Sequence, residues 1–130
     1  MAAIVVDRGL QVIGGRASST GDAFAAIQAM AVDDSVTAFD AGDTSLGSPT
    51  TEADSNFDST PTRSAEEVSH VATFGTGVVL TIRRISLHNA AAASVTGSST
   101  TLVAGIDAQA LTKTADFTLT LTVKISYTRP

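Results

Sequence analysis

In this chain of 130 residues, 13 acidic residues outnumber 8 basic ones, for a net charge of −5, which argues against nucleic-acid binding through a diffuse basic surface. The absence of Cys removes disulfides, thiolate metal ligands and thiol nucleophiles. Aromatic residues make up only 5% and Trp is absent, so one domain spanning residues 1–130 must build its core from Val, Ile, Leu and Ala.

The opening Met1-Ala-Ala-Ile-Val-Val reaches Asp7 and Arg8 too soon for a secretory leader, and no apolar run approaches a membrane span. A protein made in the cytosol, with no membrane partner, is expected. Ala2–Val6 reads as an edge strand or as an arm that packs on a neighbour. Residues 7–16 predict a short helix, with Asp7 as its N-cap and Leu10 and Ile13 on one side. The pair Gly14-Gly15 is expected to end it.

Residues 22–32 are ambiguous. Their alanines and a Thr20 or Asp22 cap favour a helix, whereas the Asp33-Asp34-Ser35 stop allows a strand over 26–32. From Asp33 to Ser69 the chain is mostly polar, and residues 47–61 read as an extended loop or arm reaching towards a neighbouring subunit. Asp43–Gly47 suggests one helical turn.

The remainder predicts strands. His70–Phe74 stops at the turn signal Gly75-Thr-Gly77. In Val78–His88 the apolar parity changes at Arg83-Arg84, from Leu80 and Ile82 to Ile85 and Leu87, which predicts a β-bulge or a transfer between sheets. Asn89–Ser99 is a small-residue linker, Thr101–Ile106 a further strand and 108–116 its polar exit. Phe117–Tyr127 then alternates strictly, placing Phe117, Leu119, Leu121, Val123 and Ile125 on one face, and Tyr127 with them. With Leu80 and Ile82, the first five are the expected core. Short strands joined by turns predict a mainly β fold, an antiparallel β-sandwich with a short N-terminal helix.

No catalytic motif stands out. There is no nucleophile elbow, phosphate-binding loop or zinc-protease pattern, and His70 and His88 fall on predicted strands. The expectation is a protein that is not an enzyme, with no catalytic residues, no metal and no cofactors. Asp33, Asp34, Asp40 and Asp43 could bind Ca²⁺ through loop oxygens, although Asx turns are the simpler reading. At most one of Arg83 and Arg84 can face a core, where it needs an acid such as Glu66 or Glu67; two surface arginines beside a bulge is the alternative. Ice or sugar binding by the Thr face has little support, since only one strand carries it. A carbohydrate-binding module would need exposed aromatics, which a chain without Trp scarcely supplies.

The order of segments resembles a group of small tailed-bacteriophage virion structural proteins. These begin with V-V-D-x-G-L-x-x-I, here Val5–Ile13, and continue with T-A-x-x-A-x-D-T-x-L-G, here close to Thr37–Gly47. They follow with strands like His70–Phe74 and Ile82–Ala90, and close on a piece like Lys113–Val123. In that pattern the second strand is usually I-T-E-V-G-L-F-N-A; here Arg83-Arg84 replaces Thr-Glu, and His88 replaces Phe.

The resemblance implies a homotrimeric β-sandwich residing in the virion, and tilts residues 26–32 towards strand. Capsid decoration (a cement protein binding the outer surface of the head and the major capsid protein) comes first. A tail, neck, collar or fibre component is the alternative. Ala2, Ile4, Val5, Thr50, Thr51, Phe57, Arg83 and Arg84 are the residues expected to touch neighbouring subunits or the capsid.

Overall fold

The structure, a computed structural model, describes residues 2–17 and 25–126. The described residues contain eight strands: β1 (Ala2–Val5), β2 (Ala29–Asp33), β3 (Glu52–Asn56), β4 (Thr62–Ser64), β5 (Glu67–Phe74), β6 (Leu80–His88), β7 (Leu102–Lys113) and β8 (Leu119–Ser126). One helix, α1 (Asp7–Ala17), and a 3₁₀ turn at Ala92–Ser94 complete them. The strands form a five-stranded sheet, in the order β1-β7-β6-β2-β3, and a three-stranded sheet, β4-β5-β8, with antiparallel pairing throughout. This is the expected mainly β, sandwich-like fold.

The sandwich interior is aliphatic. Met30, Val32, Leu80, Ile82 and Leu87 of the larger sheet meet Ala72, Phe74 and Val123 of the smaller one. The parity change in β6 coincides with a register shift against β7, where the extra residues lie: Ile82 stands opposite Leu111, but Arg84 already stands opposite Asp107. Beyond it Ile85 and Leu87 stay on the interior side, while Arg84, Ser86 and His88 turn to the other face.

That other face is covered as well. Phe39, Leu46 and Val95, carried by the connections 34–51 and 89–101, pack with Val6, Ala29, Ala31 and Leu102 in a second cluster. β2 is therefore buried on both faces along its whole length. This is why Ala29-Met-Ala-Val32 is a strand although its composition suits a helix: burial between two layers overrides propensity. Residues 18–24, which include the Thr20 and Asp22 caps and the first residues of the segment 22–32, lie outside the described residues, as does Tyr127.

Other boundaries moved. The helix runs through Gly14-Gly15 to Ala17 instead of stopping there. At its start Gly9 lies so close to β7 that a Cβ would sit 2.0 Å from the Val103 carbonyl oxygen. Asp43–Gly47 is irregular, not a helical turn. β7 extends to Lys113, through the stretch expected to be its polar exit.

The expected arm over 47–61 contains β3, which pairs along its whole length with β2. Its Glu-Ala-Asp-Ser-Asn sequence hides a strand, because its side chains line a sheet edge and are only half-buried. Of the expected core, Leu80, Ile82 and Val123 are buried, and Leu119, Leu121 and Ile125 pack half-buried against it. Phe117 does not belong there. It lies ahead of β8, 39% exposed, with its ring 4.8 Å from the Lys113 ammonium.

Candidate functional site

The bulge places Arg84 on the covered face of the larger sheet, only 4% exposed. Its Nε donates to both oxygens of Asp33, at 2.9 and 3.2 Å. Nη1 donates to the Thr37 carbonyl and Nη2 to the Leu46 carbonyl, at 3.2 and 2.6 Å. The guanidinium carbon lies 4.3 Å from the centre of the Phe39 ring. A single cation thus gathers a neighbouring strand and both ends of the 37–47 segment. The partner is Asp33, not Glu66 or Glu67, and Arg84 is too buried to touch another subunit. Arg83 is the exposed member of the pair.

A second set lies further along the same face. His88 accepts or donates through Nε2 to Ser86 Oγ at 2.8 Å, and through Nδ1 to Thr101 Oγ1 at 2.9 Å. Arg8 on α1 donates to Asn89 Oδ1 at 2.9 Å and to the Leu102 carbonyl at 3.2 Å. Burial, with the nearby Arg8 charge, pushes His88 down to about 4. His70, buried in the sandwich interior, donates from Nδ1 to the Val123 carbonyl, and burial lowers its pKa too. Both histidines carry stability that is present above an unfolded pKa of about 6.5 and fades as pH falls below it.

The acid side of this layer is crowded. Asp33 stands directly opposite Glu52 in the β2–β3 register, and Asp54 follows on the same face as Glu52. One buried oxygen of Glu52 and one of Asp54 have no hydrogen-bond partner. Burial first, then the charges of Glu52 and Asp33, raise Asp54 to about 7. A carboxyl raised in the folded state holds a proton the unfolded chain has released. Its contribution is therefore present at acid pH and lost as pH rises from about 4 through 7. Asp54→Asn is expected to abolish that loss, so that its thermal midpoint exceeds the parent's at pH 8 but not at pH 4.5. Equal midpoints at both pH values would contradict the assignment.

The remaining expected contact residues have defined places. Ala2–Val5 is an edge strand on β7, and Ile4 and Val5 are half-buried. Thr50 and Thr51 are exposed, with both N–H groups donating to Asp34 Oδ1 at 3.0 Å. Phe57 turns inward onto the core and against the His70 ring, 5.2 Å between centres. Asp40 and Asp43 close their own turns, accepting from Gly42 and Asp40 N–H respectively. Among the described residues no group of three His, Asp or Glu is placed to hold a metal ion.

Two buried charged residues were not legible in the sequence. Asp33 looked like the polar stop after Val32, yet it continues the parity of Ala29 and Ala31. Lys113 is fully buried, and its ammonium donates to the carbonyls of Val78, Thr114 and Phe117, tying the β7–β8 turn to the start of β6.

The two sheets meet along one side, where Phe57 bridges to Ala72 and the Asp58 N–H donates to the Val71 carbonyl. On the opposite side β1 and β8 are the outermost strands. An apolar groove lies between them, lined by Ile4, Val5, Ala104, Ile106, Val123 and Ile125. Covered polar layer, bridged side and open side together define an antiparallel β-sandwich left unclosed along one seam. No protein-family model matches the chain, and no curated protein or solved structure matches it.

Proposed function

We propose that this protein is a structural component of a tailed-phage virion. Capsid decoration is the first reading: it binds the outer surface of the head, against the major capsid protein, and stabilises the particle by contact. The observation that supports this is where the recognisable segments lie. Val5–Ile13, Thr37–Gly47 and Ile82–Ala90 are far apart in the chain, yet meet on one covered face of the larger sheet. Arg84 of the third binds the Thr37 and Leu46 carbonyls of the second. Arg8 of the first binds Asn89 of the third. Three of the five segments that resemble the virion pattern thus build one structural layer, while His70–Phe74 and the Leu119–Val123 part of the closing piece belong to the smaller sheet.

The groove between β1 and β8 supports a role in assembly, because it offers strand edges and apolar side chains rather than converging titratable groups. The mechanism is mechanical: contacts repeated over many copies add up, so weak individual attachment still resists disruption of the particle. Binding of the purified chain to particles that lack it tests the reading. Attachment to the head supports decoration, attachment to the tail or neck supports the alternative location, and no attachment overturns both.

A further inference from the structure

We propose that the free edge of β8 pairs with the same edge of a second copy, about a two-fold axis at Thr122, merging two three-stranded sheets into one. Among the described residues β8 is hydrogen-bonded on one side only, to β5, in an unbroken register from Leu119 opposite Phe74 to Ser126 opposite Glu67. It contains no Pro, no Gly and no bulge, devices by which exposed edges avoid pairing.

The direction of its amides follows from β5. Phe57 bridges to Ala72 on the side of β5 away from β8, and there the Val71 carbonyl accepts from the Asp58 N–H at 2.9 Å. Directly opposed residues of an antiparallel ladder either both point at each other or both point away. Thr122 stands opposite Val71, so its N–H and C=O point to the open edge. Thr120 and Lys124, two residues to either side, point the same way.

The side chains are self-complementary about that point. A two-fold axis through a residue pairs each position with one of the same parity. Leu121 then meets Val123 of the second copy, Leu119 meets Ile125, and outward amides meet outward amides. An axis between residues would set leucine against threonine and misalign the amides. Leu119, Leu121 and Ile125 are only half-buried in the single chain, and pairing covers them. Lys124 is the only charged side chain on β8, and Glu67 binds it at 3.0 Å. With the axis at Thr122, Lys124 faces Thr120 of the second copy, so the two lysines stay apart.

The pairing stands independently of the virion reading. A two-fold edge accepts one partner, so it gives a dimer in place of the trimer that the resemblance implies. The test is sedimentation of the full chain, together with amide hydrogen exchange. The expected mass is twice the chain's 13.2 kDa, with slow exchange at Thr120, Thr122 and Lys124. Thr122→Lys alters an exposed side chain and sets like charges face to face. It should sediment as one chain with an unchanged circular dichroism spectrum. A single-chain or three-chain mass for the unaltered protein, fast exchange at those three amides, or a Thr122→Lys protein that keeps the doubled mass would each overturn the pairing. Should Thr122→Lys fail to fold, exchange and mass of the unaltered chain decide.

Discussion

Asp33→Ala is expected to lower the urea midpoint of unfolding strongly. Arg84 would keep its buried position beneath the 37–47 segment but lose the carboxylate that receives its Nε. Breaking a buried pair from one side costs about 3–5 kcal/mol, because the surviving charge is left uncompensated. Domains of this size have a total stability of about 5–15 kcal/mol, so the loss removes roughly a fifth of it at the least. Urea unfolding followed by circular dichroism measures the change. A double replacement, Asp33→Leu with Arg84→Met, removes both charges and should recover most of the loss, since apolar residues of similar volume often substitute for a buried pair without cost. A midpoint for Asp33→Ala equal to the parent's would show that Arg84 is neutralised elsewhere.

Gly9→Ala is the second large effect, and its cause is contact rather than charge. The added carbon would lie 2.0 Å from the Val103 oxygen and 2.8 Å from its carbon, both backbone atoms of β7 that no rotamer change can move. The helix must lift from the sheet, loosening Val12 from Val103 and Ala104 and disturbing Arg8, which binds the Leu102 carbonyl. Overpacking of this kind costs about 1–3 kcal/mol and occasionally more, a drop in thermal midpoint of roughly 5–15 °C. Gly75→Ala is the control, because a carbon there meets nothing within 4 Å. Equal midpoints for the two variants would mean that α1 does not pack on β7 as described.

Side-chain periodicity made much of the fold legible. The alternation of β8 and the parity change of β6 both report which face a residue takes, and the structure agrees with them from Leu119 to Ile125 and on either side of Arg83-Arg84, with Phe117 the exception. Ile82 and Leu87 lie in one core on opposite sides of the bulge, as their spacing required. What stayed hidden depends on layers that a single strand does not record. β2 looked helical because its alanines reflect close covering from two sides, not a preference for helix. β3 looked like loop because Glu52 and Asp54 are half-buried against other segments.

The polar layer was legible in part. Arg83-Arg84 stood out as charges in mid-strand, at most one of which could face a core and would then need an acid, but Glu66 and Glu67 belong to the other sheet's side of the chain. Asp33 supplies the partner because β2 lies beside β6 in the register that sets Asp33 opposite Arg84. Only the pairing of strands distant in sequence reveals that. Lys113 was hidden for a similar reason: the three carbonyls that hold its ammonium come from a turn and from the approach to another strand.

The most direct test of the virion reading is cosedimentation of the purified chain with particles from which its gene has been deleted, followed by electron microscopy of the complexes. The chain is expected to travel with the particles in saturable amounts, with added density on the head surface. A chain that stays in the supernatant at every concentration, while wild-type particles contain none of it, would contradict the account.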